Sequence, residues 1–221
     1  MKNVLLALAL LLPFAGSAQV NSQARFEASL PDSIKYVLPA FGKGRIVYSN
    51  GEFSLGTFNI CTVDQSLRYL DDGQELSLVG IGEVDRVTIG GVLFLRRQNG
   101  FYGIVDQADE VCLCVQKRIE FDDTKSGAFG QRSATTSIQE LRNIHTESGM
   151  DFDLRGEVRY KLTEKPILYR NGRFYAPSKK QLLKLFPDKK TFIERYLQDN
   201  KTDFNDYGSL AALFEALKNP L

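Results

Sequence analysis

The sequence predicts an α+β protein in which a mainly antiparallel β meander precedes three short C-terminal α-helices. The meander could form a roll, a barrel or two packed sheets. Over residues 34–121, short apolar runs alternate with Asn-Gly and Asp-Gly pairs, which is typical of hairpins. Further strands follow over 157–176, and over 178–218 the apolar spacing changes to that of helices with one buried stripe.

The first residues are typical of a secretory signal peptide over 1–18. Lys2 precedes an apolar run over 4–14, and small residues suited to a signal peptidase follow. We expect cleavage after Ala18, with Ser17 as the alternative. The apolar run is too short for a membrane span of about 20 residues, so the sequence predicts an exported chain, periplasmic or secreted.

The cleaved chain is expected to be soluble, with a flexible segment over 19–33 and a single domain over 34–221. Lys2 is the only charged residue before position 19, so 27 basic and 27 acidic residues remain. This balance gives no reason to expect nucleic acid as a partner. The first cysteine, Cys61, is far from the cleavage point, and no lipid anchor is expected.

The Xaa-Gly pairs also set the expected register, because a two-residue turn fixes which residues face each other. The predicted strands lie near 44–49, 52–63, 66–71, 74–80, 84–89, 92–98, 101–105, 110–121, 157–162, 166–170 and 173–176. The predicted pairs are Tyr48 with Phe53 around Asn50-Gly51, Tyr69 with Leu76 around Asp72-Gly73, Phe94 with Val105 and Leu95 with Ile104 around Asn99-Gly100, and Tyr169 with Phe174 around Asn171-Gly172.

Residues 122–137 interrupt the strands and predict a long polar loop, because they are rich in Ser, Thr, Gly and charge. A capping box at 137–140 predicts a short helix after it. In the C-terminal part, Ser178 begins one helix and Pro187 separates it from the next. The last helix has apolar residues at i, i+3, i+4 and i+7.

Three cysteines, an odd number, argue against a full disulfide framework. Cys112 and Cys114 lie two residues apart in an apolar strand and therefore share one sheet face. Buried thiols that pack like small apolar residues are the favoured interpretation. A soft-metal or redox pair, and one disulfide from Cys61 to either of the others, stay open.

No set of residues forms a recognisable catalytic or cofactor site. His145, the only histidine, has no nucleophile motif or metal-ligand spacing around it. Paired carboxylates could serve a hydrolase, and the pairs are Asp71 with Asp72, Asp122 with Asp123, and Asp151 with Asp153. Turn chemistry or solvation accounts for them, so no catalytic, cofactor-binding or metal-ligating residue is assigned.

Two further features have ordinary structural explanations. Asp203–Gly208 begins like a calcium loop, but Tyr207 and Phe214 stand where ligands are required. A basic excess over 178–201 could attract an anionic polymer or envelope lipid, although it also fits the polar faces of amphipathic helices. It comprises Lys179, Lys180, Lys184, Lys189, Lys190, Arg195 and Lys201.

Several stretches carry a resemblance to a known group: Gly127–Gly130, Ser133–Ser137, Ser178–Lys190, Asp203–Asn205 and the start at Tyr36–Phe41. Together with the hairpins they resemble uncharacterised exported proteins of Bacteroidetes-type bacteria, over roughly residues 34–217. The resemblance implies an envelope or secreted location and no particular activity. It also makes Asp32-Ser33-Ile34 similar to the site at which such bacteria O-glycosylate exported proteins, with a simple turn at Pro31-Asp32 as the alternative.

These observations favour a non-catalytic envelope or secreted module that binds another protein or a surface ligand. One alternative is a secreted or periplasmic hydrolase whose carboxylates are brought together by the fold. The other is a structural or assembly accessory of an envelope complex. The sequence leaves the oligomeric state open.

Overall fold

The computed structural model describes residues 22–121 and 160–218. Several predictions lie outside this part of the chain. They concern the signal peptide, the polar loop at 122–137, the helix that follows it, His145, Asp122, Asp123, Asp151 and Asp153.

Ten strands of the described chain form one open antiparallel sheet, which confirms the predicted meander but not a closed barrel. The order is β10-β9-β8-β7-β6-β5-β1-β2-β3-β4, so two meanders meet where β5 pairs with β1. The strands are β1 (Gly42–Tyr48), β2 (Phe53–Ile60), β3 (Leu67–Asp71), β4 (Gln74–Ser77), β5 (Val84–Ile89), β6 (Val92–Arg97), β7 (Gly100–Ala108), β8 (Val111–Phe121), β9 (Tyr160–Arg170) and β10 (Arg173–Tyr175).

The sheet curls until the connection after β2 reaches β8. The N–H of Ile119 in β8 donates to the carbonyl of Thr62 at 2.9 Å, although β8 and β2 are five strands apart in the sheet order. A flat sheet would separate them by about 24 Å. The curl encloses an apolar core that includes Ile46, Ile60, Leu67, Val87, Ile89, Phe94 and Phe101.

C-terminal helices follow the sheet, as predicted. Among the described residues they are α3 (Lys179–Leu185), α4 (Lys190–Asp199) and α5 (Tyr207–Lys218), with a short 3-10 turn at Pro187–Lys189. The hydroxyl of Ser178 accepts the N–H of Gln181 at 3.3 Å and begins α3. The helices cover β7 to β9. Their shared core includes Leu113, Leu168, Leu182, Ile193, Leu210, Leu213 and Phe214.

Two N-terminal helices were not predicted: α1 (Ser22–Ser29) and α2 (Asp32–Lys35). Phe26 of α1 and the following Leu30 pack on Ile119 of β8. Helix α1 has no apolar repeat longer than this pair, so its position depends on contacts with the sheet rather than on a local pattern.

Two predicted registers are confirmed and two are wrong. Tyr69 faces Leu76 and Tyr169 faces Phe174, because the residues of both turns adopt the positive φ that a two-residue turn requires. Around Asn50-Gly51 the register is shifted by one residue, and Phe53 faces Val47 instead of Tyr48. There only the glycine has positive φ, which fits a three-residue loop.

The register around Asn99-Gly100 is shifted further, so that Phe94 faces Gly103 and Leu95 faces Tyr102. Gly100 lies in β7 rather than in the turn, with a φ of +130°. A Cβ at this position would lie 2.6 Å from both the Gln116 Nε2 and the Gln65 Oε1 atoms. The glycine is therefore required by close packing and not by the turn.

Candidate functional site

Among the described residues, strand β9 is paired along its length on one side only. Strand β8 pairs with residues 160–169, whereas β10 pairs with residues 168–170 alone. After β10, Ala176-Pro177 lead the chain away to α3. Within residues 22–121 and 160–218 no strand continues the row of β10, so no described strand covers the edge of β9 at 160–167, which we call the uncovered edge.

Strand alternation determines which backbone groups this edge offers. Arg170 and Arg173 flank the two-residue turn between β9 and β10, so Arg170 hydrogen-bonds to β10 and not to β8. The other even-numbered residues of β9 point the same way. Leu162 and Glu164 therefore offer an N–H and a carbonyl each, and Pro166 offers a carbonyl.

Pro166 lies within β9 without interrupting the pairing of this strand with β8. The sequence predicted separate strands at 157–162 and 166–170, but the strand runs through from Tyr160 to Arg170. Proline lacks an N–H, and at this even-numbered position the missing group would point away from β8. No hydrogen bond of the β8–β9 ladder is lost, which is the situation in which edge strands tolerate proline.

An open groove of about 800 Å³ follows the uncovered edge. One wall is formed by Ala176, Pro177 and the start of α5 at 205–208. The other side consists of sheet residues, with Tyr102 and Ile167 at one end. The groove thus has backbone groups along its length and side chains on both sides.

One face of the sheet beside the groove is basic. Arg118 faces Thr163, and Glu120 faces Lys161, so these side chains share a face with Lys165. Lys165 and Glu120 form an ion pair. The buried Nε of Arg118 has no hydrogen-bond partner. Three basic groups against one acid leave this face with an excess of positive charge.

The carboxylates of the segment that begins like a calcium loop serve the helix instead. Asp206 accepts the N–H of Ser209 at 2.7 Å, and Asp203 accepts the N–H of Asn205 at 2.8 Å. The first contact satisfies a backbone donor that the start of α5 would otherwise leave free, and the second closes a turn just before the helix. This geometry agrees with the interpretation of the segment as a helix start.

A largely buried ion-pair cluster surrounds Arg68. Its guanidinium lies 2.9 Å from Glu27 of α1, 3.1 Å from Asp64 and 3.7 Å from Glu75. Cys61 lies in the same place, and ligand atoms of Glu27, Cys61 and Asp64 are within 4.8 Å of one another. These residues tie α1 to the β2–β3 connection.

Electrostatics argue for a structural role of the cluster. Burial, with the carboxylates of Asp64 and Glu27, raises the pKa of Cys61 to about 12. The thiol is therefore protonated at neutral pH and is a poor nucleophile or metal ligand. The guanidinium of Arg68 already occupies the position where a cation would meet both carboxylates.

A second contact set joins α2 to β4 beside this cluster. The hydroxyl of Tyr36 donates to Glu75 at 2.5 Å, and Lys35 lies 3.0 Å from the same oxygen. Burial and the hydrogen bond to Glu75 raise the pKa of Tyr36 to about 12. Burial alone would raise the pKa of Glu75, but the hydrogen bonds from Tyr36 and Lys35 hold it below its ordinary value.

The other predicted candidates are not brought together. Cys112 and Cys114 lie in a separate apolar cluster from Cys61, and all three are free thiols. Burial raises the pKa of Cys114 to about 12, with a smaller contribution from Cys112, which fits the packing interpretation. Asp71 and Asp72 belong to the β3–β4 hairpin, where Asp72 supplies the positive φ of the turn.

The groove itself was missed by the sequence analysis, although proline inside a strand is a signal for an edge. Comparisons with protein-family models, curated proteins and solved structures find no match. Within the described residues, no helix has the length and apolar character needed to cross a membrane.

Proposed function

We propose that the protein is a non-catalytic binding module that holds an extended peptide segment of another protein beside β9. The observation that supports this most directly is the uncovered edge at 160–167, which lies in a groove. An added strand would hydrogen-bond to the outward groups of Leu162, Glu164 and Pro166. Recognition by strand addition obtains affinity from the main chain and specificity from alternate side chains.

The open row has room for a strand of ordinary length. Eight residues at about 3.4 Å each span about 27 Å, and strands of five or six residues are common. Strand β10 shows that this side of β9 can pair, because it already does so at 168–170. The ligand would continue the row of β10 past Pro177.

We also propose that binding takes place outside the cytoplasm. The features of residues 1–18 support export, and the near-neutral chain suits a soluble periplasmic or secreted module. The hydrolase and assembly-accessory alternatives remain predictions from the sequence. Among the described residues, the carboxylates of Glu27 and Asp64 lie close together, and Arg68 is paired with both.

The test uses proline to remove one outward N–H. Position 164, like position 166, points its backbone groups away from β8. Glu164→Pro therefore removes an N–H donor from the edge without removing a β8–β9 hydrogen bond. The matched control is Ser77→Pro on edge strand β4, where Gln74 pairs across the turn and Ser77 therefore points outward. Circular dichroism confirms that both variants are folded.

The probes are capped peptides of about seven residues in which valine alternates with glutamate, lysine or threonine, each carrying a terminal polyethylene glycol chain against self-association. We expect at least one peptide to bind the wild type and Ser77→Pro alike, and to bind Glu164→Pro at least tenfold more weakly. If no peptide binds the wild type, or if Glu164→Pro binds as well as Ser77→Pro, the proposed function is wrong.

A further inference from the structure

We infer that the segment bound beside β9 alternates acidic and apolar side chains, with the acids on the face of Arg118, Lys161 and Lys165. The inference rests on the proposed function. Successive residues of an added strand point to opposite faces of the sheet. The two faces beside the groove differ in charge, so the odd-numbered and the even-numbered residues of the ligand meet different chemical environments.

The first face carries the positive excess. Lys161 and Lys165 lie at the edge, where they are the cross-strand neighbours of any added strand. Glu120 is the acid on this face; it pairs with Lys165 and faces Lys161 in the register. It cannot neutralise three basic groups. Acidic ligand side chains would balance the remaining positive charge of this face.

The second face favours apolar side chains and disfavours acids. Leu162 and Pro166 lie on it, and Ala176, Pro177 and Tyr207 line the same groove. Glu164 is the exposed charged residue of β9 on this face. Its cross-strand neighbour Lys117 donates to the carbonyls of Ser33 and Tyr36. An acid placed opposite Glu164 would be repelled. A shift of the ligand by one position would bring its acidic side chains onto this face and is therefore disfavoured.

A second copy of this chain is a poor occupant. Antiparallel pairing of 160–167 with itself puts Lys161 opposite Lys165 in one central register. The next register puts Glu164 opposite Glu164. Like charges directly opposite each other destabilise a strand pair and are a common device against self-association of edges. The edge therefore fits a complementary segment better than its own sequence.

The experiment compares the glutamate, threonine and lysine peptides on the wild type and on Lys161→Glu/Lys165→Glu, by fluorescence anisotropy at low ionic strength. Lys180→Glu/Lys184→Glu on α3 is the control with the same change of net charge. We expect the wild type and the control to bind the glutamate peptide about tenfold more tightly than the lysine peptide, and the edge variant to reverse this order.

The outcomes separate the two proposals. If the threonine or lysine peptide binds the wild type as tightly as the glutamate peptide and remains sensitive to Glu164→Pro, the edge binds peptides but the inferred chemistry is wrong. If the preference is equally reversed by the α3 control, net charge and not the edge accounts for it, and the inference is wrong. If the wild type binds none of the peptides, the proposed function fails first.

Discussion

Replacing Arg68 by methionine tests the cluster that joins α1 to the sheet. The guanidinium contacts Glu27 at 2.9 Å and Asp64 at 3.1 Å, and the exposed fractions of the three side chains are 16%, 9% and 28%. Methionine keeps most of the side-chain volume and removes the charge. Two carboxylates then face each other, one of them largely buried, without a counter-charge.

The magnitude follows from the burial of these groups. Removing one partner of a buried ion pair costs about 3–5 kcal/mol, whereas an exposed pair contributes about 0–1 kcal/mol. Because Glu27 is nearly buried and Asp64 is more exposed, we expect Arg68→Met to lower the free energy of unfolding by about 2–4 kcal/mol. For a domain of this size, this corresponds to a fall in Tm of about 4–16 °C.

Urea unfolding followed by circular dichroism measures this loss. Arg86→Met is the matched control, because Arg86 pairs with Asp85 at 2.7 Å on the surface, with exposed fractions of 49% and 53%. We expect the control to change the free energy of unfolding by less than about 0.5 kcal/mol. A loss no larger than that of Arg86→Met would refute the reasoning.

Three further substitutions or reactions test the packing. Gly100→Ala should lower the free energy of unfolding, measured in urea, by about 2–4 kcal/mol, because the added Cβ would lie 2.6 Å from the Gln116 Nε2 atom. A variant as stable as the wild type would contradict this prediction. Cys112 should react with a thiol reagent before Cys114, because Cys114 is buried and Cys112 is partly exposed. Both reactions should become faster as the pH rises above 8, because burial raises the pKa of both thiols. Equal rates at the two cysteines would contradict this prediction. Pro166→Ala should change the free energy of unfolding by less than about 1 kcal/mol, and a larger loss would place its ring in packing that the edge geometry does not require.

Turn chemistry predicted the sheet well where local sequence decides the backbone. At Asp72-Gly73 and Asn171-Gly172 both residues adopt positive φ, and the predicted partners face each other. At Asn99-Gly100 the same dipeptide signal failed. There the glycine makes room for Gln65 and Gln116 side chains, which come from distant parts of the chain.

The groove could not be predicted in the same way. It exists because β10 is short, Pro177 turns the chain away and α5 begins beside the uncovered part of β9. Each feature is local, but only the tertiary structure brings them together. The Arg68 cluster is similar, because Glu27 and Arg68 are 41 residues apart in the chain and no short spacing brings them together.

Hydrogen exchange at single residues of β9 tests the central claim most directly. In the free protein, we predict fast exchange of the amides of Leu162 and Glu164, which point away from β8, and slow exchange of those of Thr163 and Lys165, which bond to it. Addition of the glutamate peptide should slow the first pair and leave the second unchanged. Equal protection of all four amides in the free protein would show that the edge is covered and would contradict the account.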